Sequence, residues 1–373
     1  MAANMIHLSH RKHFFGLVFL SGWVILALSA CGTSPSPLAP ATLPQGATTV
    51  ATPTSLPTAT SLPLPSDTPS VTVTSVPSVA CFTTYYDPFA FLPGGHQLLV
   101  RAEKGVQLFD LDSMQEVKFI PSPASLNGPA VAISPDGAQL AWALEGGTLQ
   151  VLRIADQSLM ATIESGQAMP LKLEFSPSAD QLYSLSHDGS VKVWSLDGTL
   201  LDAFLPGFEL VNMGLSPDGT LLATIPADGP VRLWSTTDFK WVEDLGGTGG
   251  YDTSDVAFSP DGKYLAADLA TSLFVWSIPD ATELMGAITP TNSLAVAYSP
   301  DGQYLAYANL ADVVLSSPDG LHPVRTLTGH QAPVFELVFS PDSSLLVSAD
   351  DREIRVWRVE DGQLLALGKT SCP

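Results

Sequence analysis

The side chains able to do chemistry in this sequence are few, and their spacing matches none of the common catalytic patterns. Residues 81–373 contain four histidines, His96, His187, His322 and His330, and none has a second imidazole or a cysteine at metal-ligand spacing. No His-Glu-x-x-His, Gly-x-Ser-x-Gly or Cys-x-x-Cys occurs. Gly362 and Gly368-Lys369-Thr370 imitate a phosphate loop, but five residues separate the glycines where the motif has four. Asp110-Leu111-Asp112 opens like a calcium loop and loses register at Met114, so it reads as a solvated turn. His187, beside Asp188, is the imidazole best placed to share a divalent metal with neighbouring acids.

Cys31 has a different context. Arg11 and Lys12 precede the apolar run Phe14 to Leu28, and Leu28-Ser29-Ala30 leads directly into Cys31. A basic start, a short apolar stretch and small residues make residues 1–30 a secretory signal, too short for the roughly 20 residues of a membrane-spanning helix. Leu28-Ser29-Ala30-Cys31 resembles the bacterial lipobox. That resemblance implies an exported lipoprotein, cleaved before Cys31, acylated on its sulfur and anchored to a membrane in the extracytoplasmic part of the cell envelope.

Composition then divides the chain. Residues 31–80, which follow the signal, are Cys31 and then almost entirely Ser, Thr, Pro, Ala, Val and Leu, with Asp67 as the single acid and no Lys or Arg. Such a segment has too little to bury for a core and is expected to be a disordered Pro/Ser/Thr-rich stalk. Residues 81–373 form the folded domain. Of the charged residues only Arg11, Lys12 and Asp67 lie outside it, which leaves 14 basic against 36 acidic and a formal charge of −22. A domain that acidic repels phosphate, so nucleic acid is not an expected partner.

The domain is built from repeats. Phe258-Ser259-Pro260-Asp261-Gly262 recurs at Ile133, Leu215, Tyr298 and, without its glycine, at Phe339, while Phe175-Ser176-Pro177 and Phe91-Leu92-Pro93 are weaker copies. The marker prolines fall at 93, 135, 177, 217, 260, 300 and 341, a period near 41 residues. Each repeat reads as four short strands, with Pro presetting the bend between the first two, Asp bonding the backbone and Gly accepting positive φ. Phe109, Trp194, Trp234, Trp276 and Trp357 follow their markers at near-constant distance in the third strand, with Leu152 and Leu315 as substitutes.

These residues resemble the WD40-repeat family over residues 88–368, and the resemblance implies an all-β, seven-bladed β-propeller. A six-bladed TolB-like propeller uses similar Ser-Pro-Asp-Gly repeats, but seven copies and the Trp positions favour seven blades. In the family a Trp indole, a hydroxyl, the His of a Gly-His pair and an Asp six residues before the Trp form a stabilising network. Its counterparts here are Ser184, Asp188 and Trp194 in blade three, and Thr224, Asp228 and Trp234 in blade four. Blade seven supplies Gly329-His330, Asp351 and Trp357, with Val347 at the hydroxyl position and Ser348 one place along. Trp276 fills the same Trp position in blade five.

Many relatives complete the last blade with a borrowed N-terminal strand. Here Gln363 to Leu367 can supply that blade's own fourth strand, so another device is expected at the seam. With Cys31 assigned to lipid, Cys81 and Cys372 bracket the ring, and in an oxidising compartment a disulfide between them is expected.

The family geometry gathers the loops between blades and the turns between second and third strands on one rim. That rim is expected to carry Tyr85, Tyr86, Glu145, His187, Phe208, Glu209, Tyr251, Asp252, Asp350 and Arg352, a mixture suited to binding. The reading is a non-enzymatic recognition or scaffold module for a protein or peptide, without a cofactor or bound metal. The alternative is a metal-dependent envelope hydrolase or lactonase-like enzyme.

Overall fold

The computed structural model describes residues 74–79, 89–102, 104–113, 115–123, 130–247, 254–269, 272–288 and 295–370. The signal segment and Cys31 lie outside the described residues, and so do Cys81, Tyr85, Tyr86, Tyr251, Asp252 and Cys372. Among the described residues no helix is long and apolar enough to cross a membrane.

Seven antiparallel sheets follow one another along the chain, at 89–121, 131–164, 170–204, 210–246, 254–288, 296–327 and 336–370. Each contains four strands in simple up-and-down order, and the seventh has a fifth. The seven-bladed propeller expected from the repeat is thus the fold.

The bend between first and second strands shows why the repeat is written as it is. In blade four the Gly219 N–H donates to the Ser216 carbonyl at 2.8 Å, and the Ser216 hydroxyl donates to Asp218 Oδ1 at 2.6 Å. Asp218 Oδ1 also accepts the Thr220 N–H, and Ser216 Oγ accepts the Leu221 N–H. Gly219 sits at φ +72°, the left-handed region that glycine enters without steric cost. Where the glycine is missing, Ala179 and Ser343 hold the same bend at φ +58° and +61°.

Packing runs between blades. The second strands, such as Gln181–Ser186 and Leu221–Pro226, are buried over nearly their whole length because a neighbouring blade covers each face. Ile225 and Leu233 of blade four pack with Leu265, Ala267 and Trp276 of blade five. Across the seam Phe89, Leu98 and Phe109 of blade one pack with Val347, Ile354 and Val356 of blade seven, so first and last blades share an apolar core.

Two expectations about the last blades need correction. Blade seven does own its fourth strand, Leu364–Thr370, yet an N-terminal strand is added as well. Thr74–Val79, within the segment read as stalk, pairs in parallel with Leu364–Thr370 and passes close to the outer strand of blade one, Gln115–Pro121. A composition without charge or large apolar groups forms a strand here because an existing edge supplies its hydrogen-bond partners. The register shifts between Val76 and Val79, the interval containing Pro77, which has no N–H to donate. In blade six Leu315 is one residue out of place: Ser316 stands opposite Leu305, where the other blades set a Trp, Phe or Leu opposite the equivalent leucine.

Candidate functional site

The strands fix two kinds of polar group, one beside the third-strand tryptophans and one on the rim above them. In blade seven the second and third strands, Leu345–Ala349 and Glu353–Arg358, set Ser348 beside Trp357, whose indole N–H donates to Ser348 Oγ at 2.8 Å. His330 Nε2 lies 2.6 Å from the same oxygen. Its Nδ1 is 3.1 Å from Asp350 Oδ2 and 3.7 Å from Glu353 Oε1, off the line of a well-aligned hydrogen bond to either, so these contacts are chiefly electrostatic. Since both neighbours of Nδ1 are acceptors, that nitrogen carries the ring proton.

The network therefore uses Ser348 and Asp350, and the assignments of Val347 and Asp351 are corrected. Asp350, expected on the rim, is fully buried, while Asp351 is exposed and lies 3.5 Å from Arg352. Turn length accounts for the hydroxyl: residues 350–353 join the strands of blade seven where 186–190 do so in blade three, which brings Ser348 one place nearer its tryptophan than Ser184 is. Asp350 is turned inward, where its carboxylate accepts the N–H groups of Gln331, Arg352 and Glu353. Burial, the largest influence on Asp350, pushes its carboxyl up. The close His330 N–H, with the N–H groups of Arg352 and Glu353, outweighs it and leaves the group below its ordinary value.

Blade three contains a second network whose central member the sequence reading missed. Trp194 donates to Ser184 Oγ at 2.9 Å, and Ser184 donates to Gln167 Oε1 at 2.7 Å. The amide of Gln167 then donates to Ser190 Oγ at 3.1 Å, and Ser190 Oγ donates to Asp188 at 2.6 Å. Gln167 stands where His330 stands in blade seven. The pairs Gly166-Gln167 and Gly329-His330 precede their tryptophans by equal distances, and that offset was the available signal. Asp188 is exposed and reaches the network only through Ser190.

Blade four keeps less. Trp234 donates to Thr224 Oγ1 at 2.8 Å, but Phe208 takes the place of the imidazole, tilted against Trp234 at 6.4 Å between ring centres. Phe208 is half-buried rather than open on the rim, with the Arg232 guanidinium 4.3 Å from its ring centre. Asp228 is exposed and outside this network. In blade five Ala267 occupies the hydroxyl register, and the Nε1 of buried Trp276 has no hydrogen-bond partner.

On the rim, Glu145, His187 and Arg352 are exposed on turns between second and third strands. His187 Nδ1 reaches Glu209 Oε1 at 3.0 Å, joining blade three to the connection that leads into blade four. Of the other histidines, His96 pairs with Asp112 at 2.9 Å on the surface and His322 is exposed.

Among the described residues one group of ligand atoms is close enough to hold a metal: His330, Asp350 and Glu353, within 4.8 Å of one another. Its chemistry is already committed. Asp350 accepts backbone N–H groups from Gln331, Arg352 and Glu353, and Glu353 accepts the Arg355 guanidinium at 2.6 Å. The Arg355 charge also lies over the Trp357 ring. A cation there would displace these partners, so the cluster reads as a structural network.

Residues 164–195 and 321–358, the segments containing these two networks, match the family model described as WD domain, G-beta repeat. The chain is similar to WD repeat-containing protein SL1-17 of Schistosoma mansoni, 31% identical over 42% of this chain and 52% of that protein. It is also similar to Protein hir1 of Aspergillus terreus, 30% identical over 40% of this chain and 16% of that protein. Small ribosomal subunit protein RACK1y of Oryza sativa subsp. japonica is 35% identical over 28% of this chain and 31% of that protein. The chain thus spans about half, or less, of the length of these relatives. Fold and matches agree on a seven-bladed β-propeller, two segments of which, 164–195 and 321–358, match the WD40 repeat.

Proposed function

We propose that this propeller is a non-enzymatic recognition module that binds a protein or peptide through its rim, displayed outside the cytoplasmic membrane by a lipid on Cys31. WD40 propellers are typically protein-interaction scaffolds. The similar rice protein is by its name a ribosomal subunit protein, a part within an assembly, which accords with a scaffold role.

The observation that carries the reading is the rim over blades three and four. His187 and Glu209 pair there, beside Phe208, whose ring packs against Arg232 and Trp234. Such a site offers a partner charge, hydrogen bonds and a pre-ordered aromatic at little entropic cost. The buried His and carboxylates of blade seven, by contrast, are engaged in holding the blade.

Partner capture from native envelopes with the full-length chain tests this. Replacing His187, Phe208, Glu209 and Arg352 by alanine is expected to lower capture at least about tenfold while leaving the melting transition cooperative. Undiminished capture would exclude this face. The anchor is tested separately by Cys31→Ser, which is expected to move the chain from the membrane fraction to the soluble one.

A further inference from the structure

Blade three departs from the repeat at two points that meet in one cavity. Its bend reads Ser176-Pro177-Ser178-Ala179-Asp180, with serine where blades two, four, five, six and seven have aspartate, and the carboxylate two places later. The Ser176 and Ser178 hydroxyls both donate to Asp180 Oδ1. In the second strand Tyr183 pairs with Val193, a register at which the other blades place Leu99, Ala141, Ala223, Ala266, Ala306 or Val347. A cavity of about 190 Å³ between blades three and four is lined by Ser178, Asp180, Gln181 and Tyr183 of one and by Leu215 and Asp218 of the other. It lies at the bends between first and second strands, the end of the strands opposite to the rim turns. A water needs about 10–15 Å³ and a drug-sized ligand roughly 300–1,000 Å³, so this space suits a small head group. Ser178 and Asp180 are exposed, which leaves the cavity open to solvent.

The chemistry of the cavity is one-sided. Serine hydroxyls hold both carboxylates below their ordinary range, Ser178 and then Ser176 for Asp180 and Ser216 for Asp218, so both are charged at neutral pH. Asp218 takes its hydrogen bonds from Ser216 and Thr220 on Oδ1, which leaves Oδ2 outside them. Tyr183 is 4% exposed, and among the described residues its hydroxyl has one contact, to Gln181 Oε1 at 3.4 Å, beyond the about 2.5–3.0 Å of an ordinary O–H···O bond. Burial, followed by the charges of Glu174, Asp180 and Asp202, raises the phenol, which keeps its proton and has lone pairs to offer. Among the described residues lining the cavity there is no lysine or arginine. We propose that this cavity binds an organic cation, a guanidinium or alkylammonium head group, through the carboxylates of Asp180 and Asp218 with the Tyr183 oxygen as a buried acceptor. Such a group brings N–H donors and no acceptor, the complement of this lining, and its charge relieves the repulsion between the two carboxylates.

The site is separate from the rim, and its test leaves the rim untouched. Acetyl-arginine methylamide, its neutral isostere acetyl-citrulline methylamide, acetyl-lysine methylamide and agmatine are titrated at low salt into the purified full-length chain labelled with fluorotyrosine. Fluorine NMR reads binding, and the Tyr183 resonance is identified by its loss in Tyr183→Phe. The cationic probes are expected to shift that resonance with a Kd of about 1 mM or below, and the citrulline compound to leave it in place. Asp180→Asn and Asp218→Asn should each weaken binding at least about fivefold, and raising salt to about 0.5 M should weaken it further. Asp136→Asn, which alters the equivalent bend of blade two, should bind as the native chain does. Asp218 also holds the bend of blade four, so if Asp218→Asn fails to fold, Asp180→Asn carries the result. Tighter binding of agmatine than of the arginine compound points to a free amine as the source, and the reverse to a partner's basic side chain; either supports the site. A Tyr183 resonance unmoved by every cationic probe at about 10 mM, equal binding of the arginine and citrulline compounds, or undiminished binding in Asp180→Asn would overturn the proposal. So would displacement of the arginine compound by an equimolar amount of calcium chloride, which would assign the carboxylates to a metal ion.

Discussion

Blades seven and five solve one packing problem in two ways. Both bury a tryptophan between neighbouring sheets, but only Trp357 has its N–H satisfied, through Ser348 and on to His330 and Asp350. Trp276 has Ala267 in the hydroxyl register and no acceptor. The position two residues before the tryptophan changes with it. Arg355 in blade seven, like Lys192 in blade three, sets its cation over the indole, whereas Phe274 in blade five stacks on Trp276 at 5.5 Å, 6° from parallel. The blade shape therefore does not depend on the polar network: aromatic stacking can supply the contact, at the cost of an unpaired buried donor.

The comparison breaks most visibly at Asp350. Asp350→Ala leaves buried His330 without its nearer carboxylate and three backbone N–H groups without their acceptor. The expected loss is about 3–5 kcal/mol in urea unfolding, against less than about 0.5 kcal/mol for exposed Asp351→Ala. Equal effects would show that the turn has been placed in the wrong register.

Next in size, Ser348→Ala and Ser184→Ala should each cost about 1–3 kcal/mol by orphaning an indole N–H. Ala267→Ser is the reverse experiment. A hydroxyl offered to Trp276 should stabilise the protein by about 0.5–1.5 kcal/mol, and a loss would mean that Phe274 stacking leaves no room for it.

The smallest effect concerns the first bends, which all blades with the full repeat share. The hydrogen bond from Lys263, with burial opposing and the Ser259 hydroxyl assisting, lowers the Asp261 carboxyl to about 2, and Asp136, Asp218 and Asp342 are lowered chiefly by their serines. A carboxyl lowered in the folded state adds stability above its unfolded pKa of about 3.9, and that share is lost as pH falls toward the folded value. Stability should hold from neutrality to about pH 5 and decline between about pH 4 and pH 2. NMR titration of Asp261 should rise toward the ordinary range in Lys263→Ala.

The repeat made the blades legible because Pro-Asp-Gly is local chemistry: each bend is specified by residues within five of one another. The Trp register was legible for the same reason, except where turn length varies. The shorter turn of blade seven put the hydroxyl at Ser348 where Val347 was expected, and blade six set Ser316 where Leu315 was expected. Gln167 was hidden because an amide does not look like an imidazole, although both present a donor and an acceptor in the same plane. The N-terminal strand was hidden because nothing within Thr-Ser-Val-Pro-Ser-Val calls for a strand; the edge of blade seven does.

That added strand has a mechanical meaning. Everything before Thr74 joins the ring through a segment lying alongside its neighbour. A pull directed along that segment loads the hydrogen bonds of the ladder together, in shear, and does not open them one after another. A propeller held in this way resists traction at its point of attachment better than one suspended from a loose loop, and the blades beyond the seam are shielded from the force.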